Sequence, residues 1–327
     1  MENRPLLLLD ASDVARLLPM ADCIEAMSDA LLATARGEVT LPLRQVVLLP
    51  GGRGALASMP AVAPELGLGV KVITVLPGNH GSAYPSHQGA VLLFGHEHGE
   101  LQAIVDAGEL TAIRTAAVSG VATRLLARED ASDLALLGSG VQARTHLAAM
   151  RVVRTLERVR VWSPSRANRE AFAERESRRH GVPIEPVGSA EAAVRGADLV
   201  CTVTAATAPV VRGEWLSPGV HVNAVGASLP SARELETEAV RRSRLFVDRR
   251  ESTVHESGDY LIPLREGAIG EDHILAELGE ILDGTATGRR GPDEITLFKS
   301  LGIAIEDLAA ARHLADRARA ERAGSAC

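Results

Sequence analysis

The chain has 327 residues, of which 46% are hydrophobic and only 2% aromatic, and its formal net charge at pH 7 is -7. This length is enough for two hydrophobic cores. The acidic balance and the shortage of aromatic side chains argue against nucleic-acid binding, which usually needs a basic face and stacking platforms. Only two lysines, Lys71 and Lys299, stand among the 35 Lys and Arg residues, so each lysine invites a chemical explanation.

The sequence also bears on the compartment. No apolar stretch approaches the ~20 residues that cross a bilayer. The short apolar run 6–9 lies between Glu2 and Asp10, where a secretory leader would need a basic start and a small-residue cleavage site. The three cysteines, Cys23, Cys201 and Cys327, are widely separated, which favours reduced thiols over a disulfide framework or a metal site. We therefore predict a cytoplasmic protein without a bound metal.

The first hundred residues predict a helix followed by short strands. Apolar residues recur at helical spacing from Asp10 to Arg36, and the pattern stops at Gly37. Strand-like runs joined by Gly- and Pro-rich turns follow at residues 44–49, 55–59, 69–76, 90–94 and 101–106. Consecutive short strands indicate a mixed or mostly antiparallel sheet.

From Leu110 onward the pattern changes to alternating helices and strands. The predicted helices are 111–127, 141–154 and 166–180, and the predicted strands are 134–137, 158–162, 199–203, 221–225 and 244–247. Such alternation indicates an α/β fold with a doubly wound parallel sheet, covered by helices on both faces. A last helix, from Gly302 to about Ala323, has apolar positions suited to packing back on the first domain.

A glycine-rich turn begins the helix after the first strand of the alternating series. Residues 138–143 read Gly-Ser-Gly-Val-Gln-Ala, which is the pattern G-x-G-x-x-A. In this pattern the first glycine makes the tight turn, the second admits a pyrophosphate, and the alanine lets helix and strand approach, while the helix amides favour phosphate charge. An ordinary Gly-rich turn is the alternative, but the strand before and the helix after favour a dinucleotide site.

The end of the second strand of this series bears on the choice of cofactor. A carboxylate at this point usually holds NAD, whereas the 2'-phosphate of NADP needs hydroxyls and a cation. The chain has Ser163, Ser165 and Arg166 here, with no carboxylate before Glu170. We therefore expect NADPH, with NADH possible. The alternative is that these residues merely cap the next helix, which Ser165 can do.

Three cations of the first domain, Arg44, Lys71 and Arg114, lie at predicted strand or helix boundaries among mostly uncharged neighbours. A lysine in an apolar strand is expensive to bury unless it is paired, so a single strand lysine more often faces solvent. Together with a nicotinamide domain, three cations instead favour a clamp for a small carboxylate with a proton donor beside it. His87 is explained equally well as part of that site or as a loop or core histidine.

Five ordered segments resemble those of the ornithine cyclodeaminase/mu-crystallin family. They are 85–88 (Pro-Ser-His-Gln), 110–117 (Leu-Thr-Ala-Ile-Arg-Thr-Ala-Ala), 138–143, 223–228 (Asn-Ala-Val-Gly-Ala-Ser) and 298–302 (Phe-Lys-Ser-Leu-Gly). The resemblance implies a Rossmann-type domain for NAD(P), which we place at 115–304. It also implies a smaller α+β substrate and dimerisation domain, placed at 1–114 and completed by the C-terminal helix at 305–327, and a homodimer.

The resemblance also implies roles for particular residues. Arg44, Lys71 and Arg114 fall on the residues that bind the substrate carboxylate. Ser228 is the fourth candidate substrate-binding residue. It occupies the position where cyclodeaminases carry an acid/base Asp and is similar to the serine of mu-crystallin-type ketimine reductases, which argues against cyclodeamination. The candidate cofactor-binding residues are Thr115, Gly138, Ser139, Gly140, Val141, Gln142, Ser163, Ser165, Arg166, Thr204, Val225, Gly226, Ser300 and Gly302.

We therefore expect NAD(P)H-dependent reduction of a cyclic ketimine acid, of the 1-pyrroline-2-carboxylate or 1-piperideine-2-carboxylate class, to the cyclic L-amino acid. Lys71 is the predicted catalytic residue because it, or a water that it holds, can keep the imine nitrogen protonated. The alternatives are an amino-acid or opine-type dehydrogenase acting on an open-chain imine, a cyclodeaminase, and a non-enzymatic NADPH-dependent ligand binder. For Lys299 two alternatives stay open. The resemblance implies that its segment, 298–302, approaches the nicotinamide end of the cofactor, without a chemical role for the lysine; otherwise Lys299 lies at a helix start, in solvent or paired with Glu306 or Asp307.

Overall fold

The computed structural model describes residues 5–79 and 82–321 and the backbone of 325–326. The chain forms two compact units, one of Met1–Arg114 with Gly302–Cys327 and the other of Thr115–Leu301. The sequence prediction places the domain boundaries after residues 114 and 304, and the compact units meet after residues 114 and 301. Helix α3, Ala107–Leu126, contains the first of these boundaries.

The first unit is built on a seven-stranded mixed sheet. Its strands are β1 Leu7–Leu9, β2 Gln45–Leu48, β3 Ala55–Ala63, β4 Gly67–Val75, β5 His87–Phe94, β6 Leu101–Asp106 and β15 Ser325–Ala326, in the order β15-β1-β6-β5-β4-β3-β2. Strands β2 to β6 pair antiparallel in sequence, and β1 pairs parallel with β6. The predicted mixed, mostly antiparallel sheet is therefore confirmed.

Two helices replace the single helix predicted over residues 10–36. They are α1, Ala11–Leu17, and α2, Met20–Ala35. The break falls at Leu18, whose backbone is non-helical (φ -119°, ψ 72°). The cause is Pro19, because a proline ring disfavours helical backbone in the residue before it.

Helix α11, Ala304–Ala320, completes the first unit. It packs on α2 and on strands β3 and β4. Gly69 of β4 permits this approach, because a Cβ there would lie 2.8 Å from the side chain of Leu308. The close contact brings the beginning of α11 to the face of β4 that carries Lys71.

The second unit is built on an eight-stranded parallel sheet. Its strands are β7 Asp133–Leu137, β8 Arg158–Trp162, β9 Ile184–Pro186, β10 Leu199–Thr202, β11 His221–Ala224, β12 Arg244–Val247, β13 Ile274–Glu277 and β14 Thr296–Lys299. Their order is β9-β8-β7-β10-β11-β14-β12-β13, so the winding direction reverses between β7 and β10. This is the doubly wound, Rossmann-type sheet of the prediction, and ligands of such sheets bind outside the carboxyl ends at the reversal.

Helices connect the strands of the second unit. They are α4 Val141–Val153, α5 Arg166–His180, α6 Ala190–Val194, α7 Thr237–Arg241, α8 Arg250–Glu256, α9 Gly258–Arg265 and α10 Leu278–Leu282. Helices α4 and α5 match the sequence prediction, whereas α6 to α10 are too short to show helical periodicity. Strands β10 and β11 are buried throughout, as expected of strands covered on both faces. Among the described residues, no helix is long and apolar enough to cross a membrane.

Candidate functional site

The predicted glycine turn lies at the carboxyl end of β7, at the reversal of the sheet. Gly138 has φ +120°, and a Cβ there would lie 2.6 Å from the carbonyl oxygen of Val203, so only glycine fits. A Cβ on Gly140, by contrast, would meet no described atom within 4 Å. No described side chain caps α4 at Gly140, and the first amides of a helix are otherwise satisfied by water or by a ligand. This turn can hold a pyrophosphate.

The residues predicted to select NADPH lie between β8 and α5. Ser139 Oγ donates to Ser163 Oγ at 3.0 Å, and Ser163 in turn donates to the carbonyl of Ser165. Ser165 caps α5 by accepting the N–H of Asn168 at 3.2 Å, which is the alternative role considered above. Arg166 is exposed and pairs with Glu170 at 2.7 Å. The hydroxyls of Ser163 and Ser165 therefore have hydrogen-bond partners within the protein. Arg166 is held at the surface by an exposed ion pair, which is a weak contact.

The remaining cofactor candidates are distributed over other strand ends. Thr204 and Val225 are half-buried after β10 and β11, Gly226 is exposed, and Ser300 is buried after β14, where its N–H donates to Ala224. Thr115 is buried in α3. Their contact with a cofactor stays a prediction.

The alternative that places Lys299 at a helix start, in solvent or paired with Glu306 or Asp307, is wrong. This lysine lies in β14, between β11 and β12, and is only 1% exposed. Its Nζ is 3.0 Å from Asp259 Oδ2 and donates to the carbonyl of Ala227 at 2.6 Å. A lysine in a central strand has no route to solvent and needs a buried counter-charge, which Asp259 supplies.

The three predicted cations of the first unit come together around the beginning of α11. Lys71 is 2% exposed, and its Nζ lies 2.7 Å from Asp307 Oδ2, so it does not face solvent. Arg114 Nε donates to Asp307 Oδ1 at 2.9 Å, and its Nη1 donates to Glu306 Oε2 at 2.6 Å. Arg44 Nη2 donates to the carbonyl of Gly302 at 3.1 Å. We call Arg44, Lys71 and Arg114, together with the carboxylates of Glu306 and Asp307, the cation cluster.

Gly302 lies against two arginines of the cation cluster. It has φ +73°, and a Cβ there would lie 2.3 Å from Arg114 Nη1. Its carbonyl accepts from Arg44, so one glycine touches two of the three cations. The sequence prediction assigns Gly302 to the cofactor, and that role stays a prediction.

Sequence reasoning missed Glu306 and Asp307 as members of the cation cluster. Both are buried, at 0% and 1% exposure, in the first turn of α11. Acidic residues at a helix start are usually explained by the helix dipole, so their position in the sequence does not distinguish them. The signal that they are buried is the apolar sequence on both sides of them, at 303–305 and 308–311, which leaves the first half of α11 without any other polar residue.

Burial and charge together set the protonation of this cluster. Burial lowers the pKa of Lys71 from 10.5 to about 8, and the neighbouring Arg114 and Arg44 also lower it, while Asp307 opposes the shift. Burial alone would raise the pKa of Asp307, but Arg114 and Lys71 outweigh it and hold that pKa below its usual value. The cluster therefore contains an ionised carboxylate and a lysine that releases its proton easily.

His87 lies on the same face of the first sheet as Lys71. It is exposed and pairs through Nδ1 with Ser86 Oγ at 3.0 Å. Although the residue as a whole is exposed, neighbouring atoms keep water from part of the ring, and this desolvation and the charge on Lys71 lower the pKa of His87, which keeps the imidazole neutral near pH 7. His87 is therefore a neutral polar residue at the beginning of β5, close enough to Lys71 to feel its charge.

A Rossmann-type sheet with a glycine turn at its reversal is typical of pyridine-nucleotide-dependent oxidoreductases. A buried cluster of cations is typical of a binding site for a small carboxylate. The chain belongs to the ornithine cyclodeaminase/mu-crystallin family, whose sequence model matches residues 5–322. The resemblance found in the sequence is thereby confirmed.

Individual relatives agree with this assignment. The chain is 44% identical over 281 residues to ketimine reductase mu-crystallin of Mus musculus, with 86% of each chain covered. It is similar to the structure of Thermococcus litoralis Delta(1)-pyrroline-2-carboxylate reductase in complex with NADH and L-proline (TM-score 0.96, 40% identity, 98% and 100% covered). It is also similar to an archaeal alanine dehydrogenase dimer with bound NAD (TM-score 0.93, 30% identity, 98% of each covered).

Proposed function

We propose that this protein reduces a cyclic ketimine carboxylate, of the 1-pyrroline-2-carboxylate or 1-piperideine-2-carboxylate class, to the cyclic L-amino acid with NAD(P)H. The observation that carries the proposal is the buried Lys71, paired with Asp307 and surrounded by Arg114 and Arg44. Such a cluster supplies both a binding site for a carboxylate and a proton donor. The similarity to a pyrroline-2-carboxylate reductase that binds NADH and L-proline supports the same chemistry.

Each residue of the cluster has a stated part in this reaction. Arg114, oriented by Glu306 and Asp307, and Arg44 hold the substrate carboxylate. Lys71, held by Asp307, keeps the imine nitrogen protonated, since a protonated imine is the better hydride acceptor. When bound, the pyridine nucleotide supplies the hydride. Ser228, exposed after β11, carries no charge that would hold a side-chain amine, which agrees with reduction in place of cyclodeamination.

A substrate panel tests this function. Purified protein is supplied with NADPH or NADH and with pyrroline-2-carboxylate, piperideine-2-carboxylate, or pyruvate with and without ammonium, and cofactor oxidation is followed. We expect turnover of the cyclic imines without ammonium. Turnover only with an oxo acid and ammonium would instead indicate an open-chain imine, which the similarity to alanine dehydrogenase makes the second candidate. Dinucleotide binding without any turnover would indicate a ligand binder.

A substitution in the glycine turn should weaken cofactor binding without affecting folding. In Gly140→Ala the new methyl group has no described neighbour within 4 Å, so the free energy of unfolding should be nearly unchanged. The methyl group would occupy the space that a pyrophosphate needs, and we expect the Kd for NADPH to rise about tenfold or more. Gly188→Ala, also at an uncrowded glycine, is the control for both measurements. Unchanged NADPH binding by Gly140→Ala would show that the pyrophosphate does not bind at this turn.

The choice between NADPH and NADH depends on Arg166 in our proposal. Its surface pair with Glu170 is easily exchanged for a 2'-phosphate. Replacing Arg166 by alanine should raise KM for NADPH by about five- to tenfold and leave KM for NADH unchanged. Arg178→Ala is a matched control, because Arg178 also lies on α5 and pairs with a glutamate four residues away, Glu174. Equal effects on both cofactors would argue against a phosphate contact.

We further propose that the protein is a homodimer. Strand β2 lies at the edge of the first sheet, and its apolar residues Val46, Val47 and Leu48 are 50%, 61% and 78% exposed. An exposed apolar edge strand is prone to pair with another chain, and the similar alanine dehydrogenase is a dimer. Light scattering should give twice the 34.5 kDa chain mass, and Val47→Lys should shift it toward monomer. Val152→Lys, at a separate exposed apolar residue of α4, should remain dimeric.

A cytoplasmic location stays part of the proposal. Cys23 and Cys201 are buried free thiols, and burial raises the pKa of both, which leaves them protonated and unreactive. Thiols maintained in this state are typical of a reducing compartment.

A further inference from the structure

Glu234 is a buried carboxylate that the chemistry proposed above does not use. It lies between β11 and α7 and is 0% exposed. Its side chain reaches the carboxyl ends of β10 and β11. Strand β10 lies between β7 and β11, and β7 ends in the glycine turn at Gly138. Glu234 is therefore placed beside the reversal of the sheet.

Four hydrogen bonds join the Glu234 carboxylate to the two strand ends. Oε1 accepts the backbone N–H of Thr204 at 2.8 Å and its hydroxyl at 2.7 Å. Oε2 accepts the hydroxyl of Thr202 and the backbone N–H of Gly226, both at 2.7 Å. Each oxygen thus faces one hydroxyl and one backbone N–H, and the carboxylate connects the segment after β10 to the segment after β11.

These segments approach one another too closely for side chains to intervene. A Cβ on Gly226 would lie 2.1 Å from the carbonyl oxygen of Thr204. On the other side, a Cβ on Gly138 would lie 2.6 Å from the carbonyl oxygen of Val203. The ends of β7, β10 and β11 therefore form one continuous edge, and the Glu234 carboxylate fixes two of its three segments.

The ion pair of Lys299 with Asp259 supports the same arrangement. Asp259 Oδ1 accepts the backbone N–H of Glu234 at 2.9 Å and that of Leu235 at 3.0 Å. Lys299 pairs with the other oxygen of Asp259 and donates to the carbonyl of Ala227, immediately before Ser228. The pair thus holds the backbone of Glu234 and of the segment after β11 together.

We propose that Glu234 is a positioning residue that sets the spacing of the segments after β10 and β11 for binding of a pyridine dinucleotide, with the Lys299–Asp259 pair holding Glu234 in place. The inference rests on the proposed use of NAD(P)H. It requires a carboxylate at this position. A glutamine side chain would direct its NH₂ group at a backbone N–H in either orientation of the amide, since each oxygen of Glu234 faces one.

Calorimetric titration of NADPH and NADH into the full-length protein, without imine, tests the proposal. The variants are Glu234→Gln and, as control, Glu238→Gln, whose side chain pairs only at the surface with Arg241. We expect Glu234→Gln to raise the Kd of both dinucleotides about tenfold or more, and Glu238→Gln to leave them within about twofold. With saturating dinucleotide, KM for the imine should change by less than about threefold, because the cation cluster lies in the other unit.

A Kd for Glu234→Gln within about twofold of wild type would overturn the proposal, as would an equal rise in KM for the imine and Kd for the dinucleotide. If Glu234→Gln does not fold, Thr202→Val decides, because it removes one hydroxyl donor and keeps the carboxylate with both backbone contacts. A rise of about threefold or more in Kd then supports the proposal, and an unchanged Kd overturns it. Wild-type protein that binds dinucleotides but reduces no imine would contradict the proposed function alone.

Discussion

Replacing Lys71 by methionine or arginine should lower kcat for reduction of the cyclic imine by a factor of about 100 to 10,000, the range expected for loss of a general acid. Methionine keeps the volume of the side chain but cannot donate a proton, and arginine does not release one near neutral pH. Steady-state assays with pyrroline-2-carboxylate and NADPH measure the effect. Thr74→Val, on the opposite face of the same strand, is the control and should retain wild-type turnover.

The pH profile provides a second measurement on the same variants. Because the pKa of Lys71 is lowered to about 8, the rate of imine reduction should fall as pH rises through that value, where Lys71 loses its proton. Lys71→Arg should lack this decline. The effect of rising pH on stability has the opposite sign to its effect on the rate. Between pH 8 and 10.5 the unfolded chain binds the proton more tightly than the folded one, so this residue's contribution to the free energy of unfolding increases with pH.

Wild-type turnover by either Lys71 variant would exclude Lys71 as the proton donor. A decline near pH 8 that persists in Lys71→Arg would assign the titration to another group.

Replacing Gly302 by alanine should impair both substrate binding and stability. The new Cβ would lie 2.3 Å from Arg114 Nη1 and would push that side chain away from Glu306 and Asp307. We expect KM for the imine to rise about tenfold or more, since a displaced arginine no longer holds the carboxylate. The free energy of unfolding should fall by about 3 kcal/mol or more, because buried carboxylates lose part of their counter-charge.

Gly37→Ala is a matched control for the backbone contribution. Gly37 has φ +71° against +73° for Gly302, but a Cβ there meets nothing within 4 Å. Its replacement should cost only about 1–2 kcal/mol, the price of left-handed backbone for a residue with a side chain, and should leave KM unchanged. Urea unfolding and initial-rate kinetics compare the two variants. Equal losses in both would mean that contact with Arg114 has no part in the effect.

Local patterns predicted much of the fold. The turn at Gly138 was predictable because its glycines, the strand before it and the helix after it are adjacent in the chain. The alternating elements likewise predicted a parallel doubly wound sheet. The prediction failed where periodicity was broken within a few residues, as at Pro19, or where elements such as α10 were only one turn long.

The sequence predicted the types of residue in the candidate site, but it did not predict the ion pairs between them. The family resemblance implied that Arg44, Lys71 and Arg114 lie in one site. It did not indicate that Asp307, more than 200 positions from Lys71, pairs with that lysine 2.7 Å away. That contact depends on how α11 packs on β4, which Gly69 permits.

The sequence by itself determined the family, the class of fold and the scarcity of lysine that drew attention to Lys71 and Lys299. Only the tertiary structure decided that both lysines are buried and which carboxylate each one meets. It also revealed the carboxylate of Glu234 between two strand ends. The physical reason is that burial and ion pairing depend on distances between segments remote in sequence, whereas turns and periodicity depend on neighbouring residues.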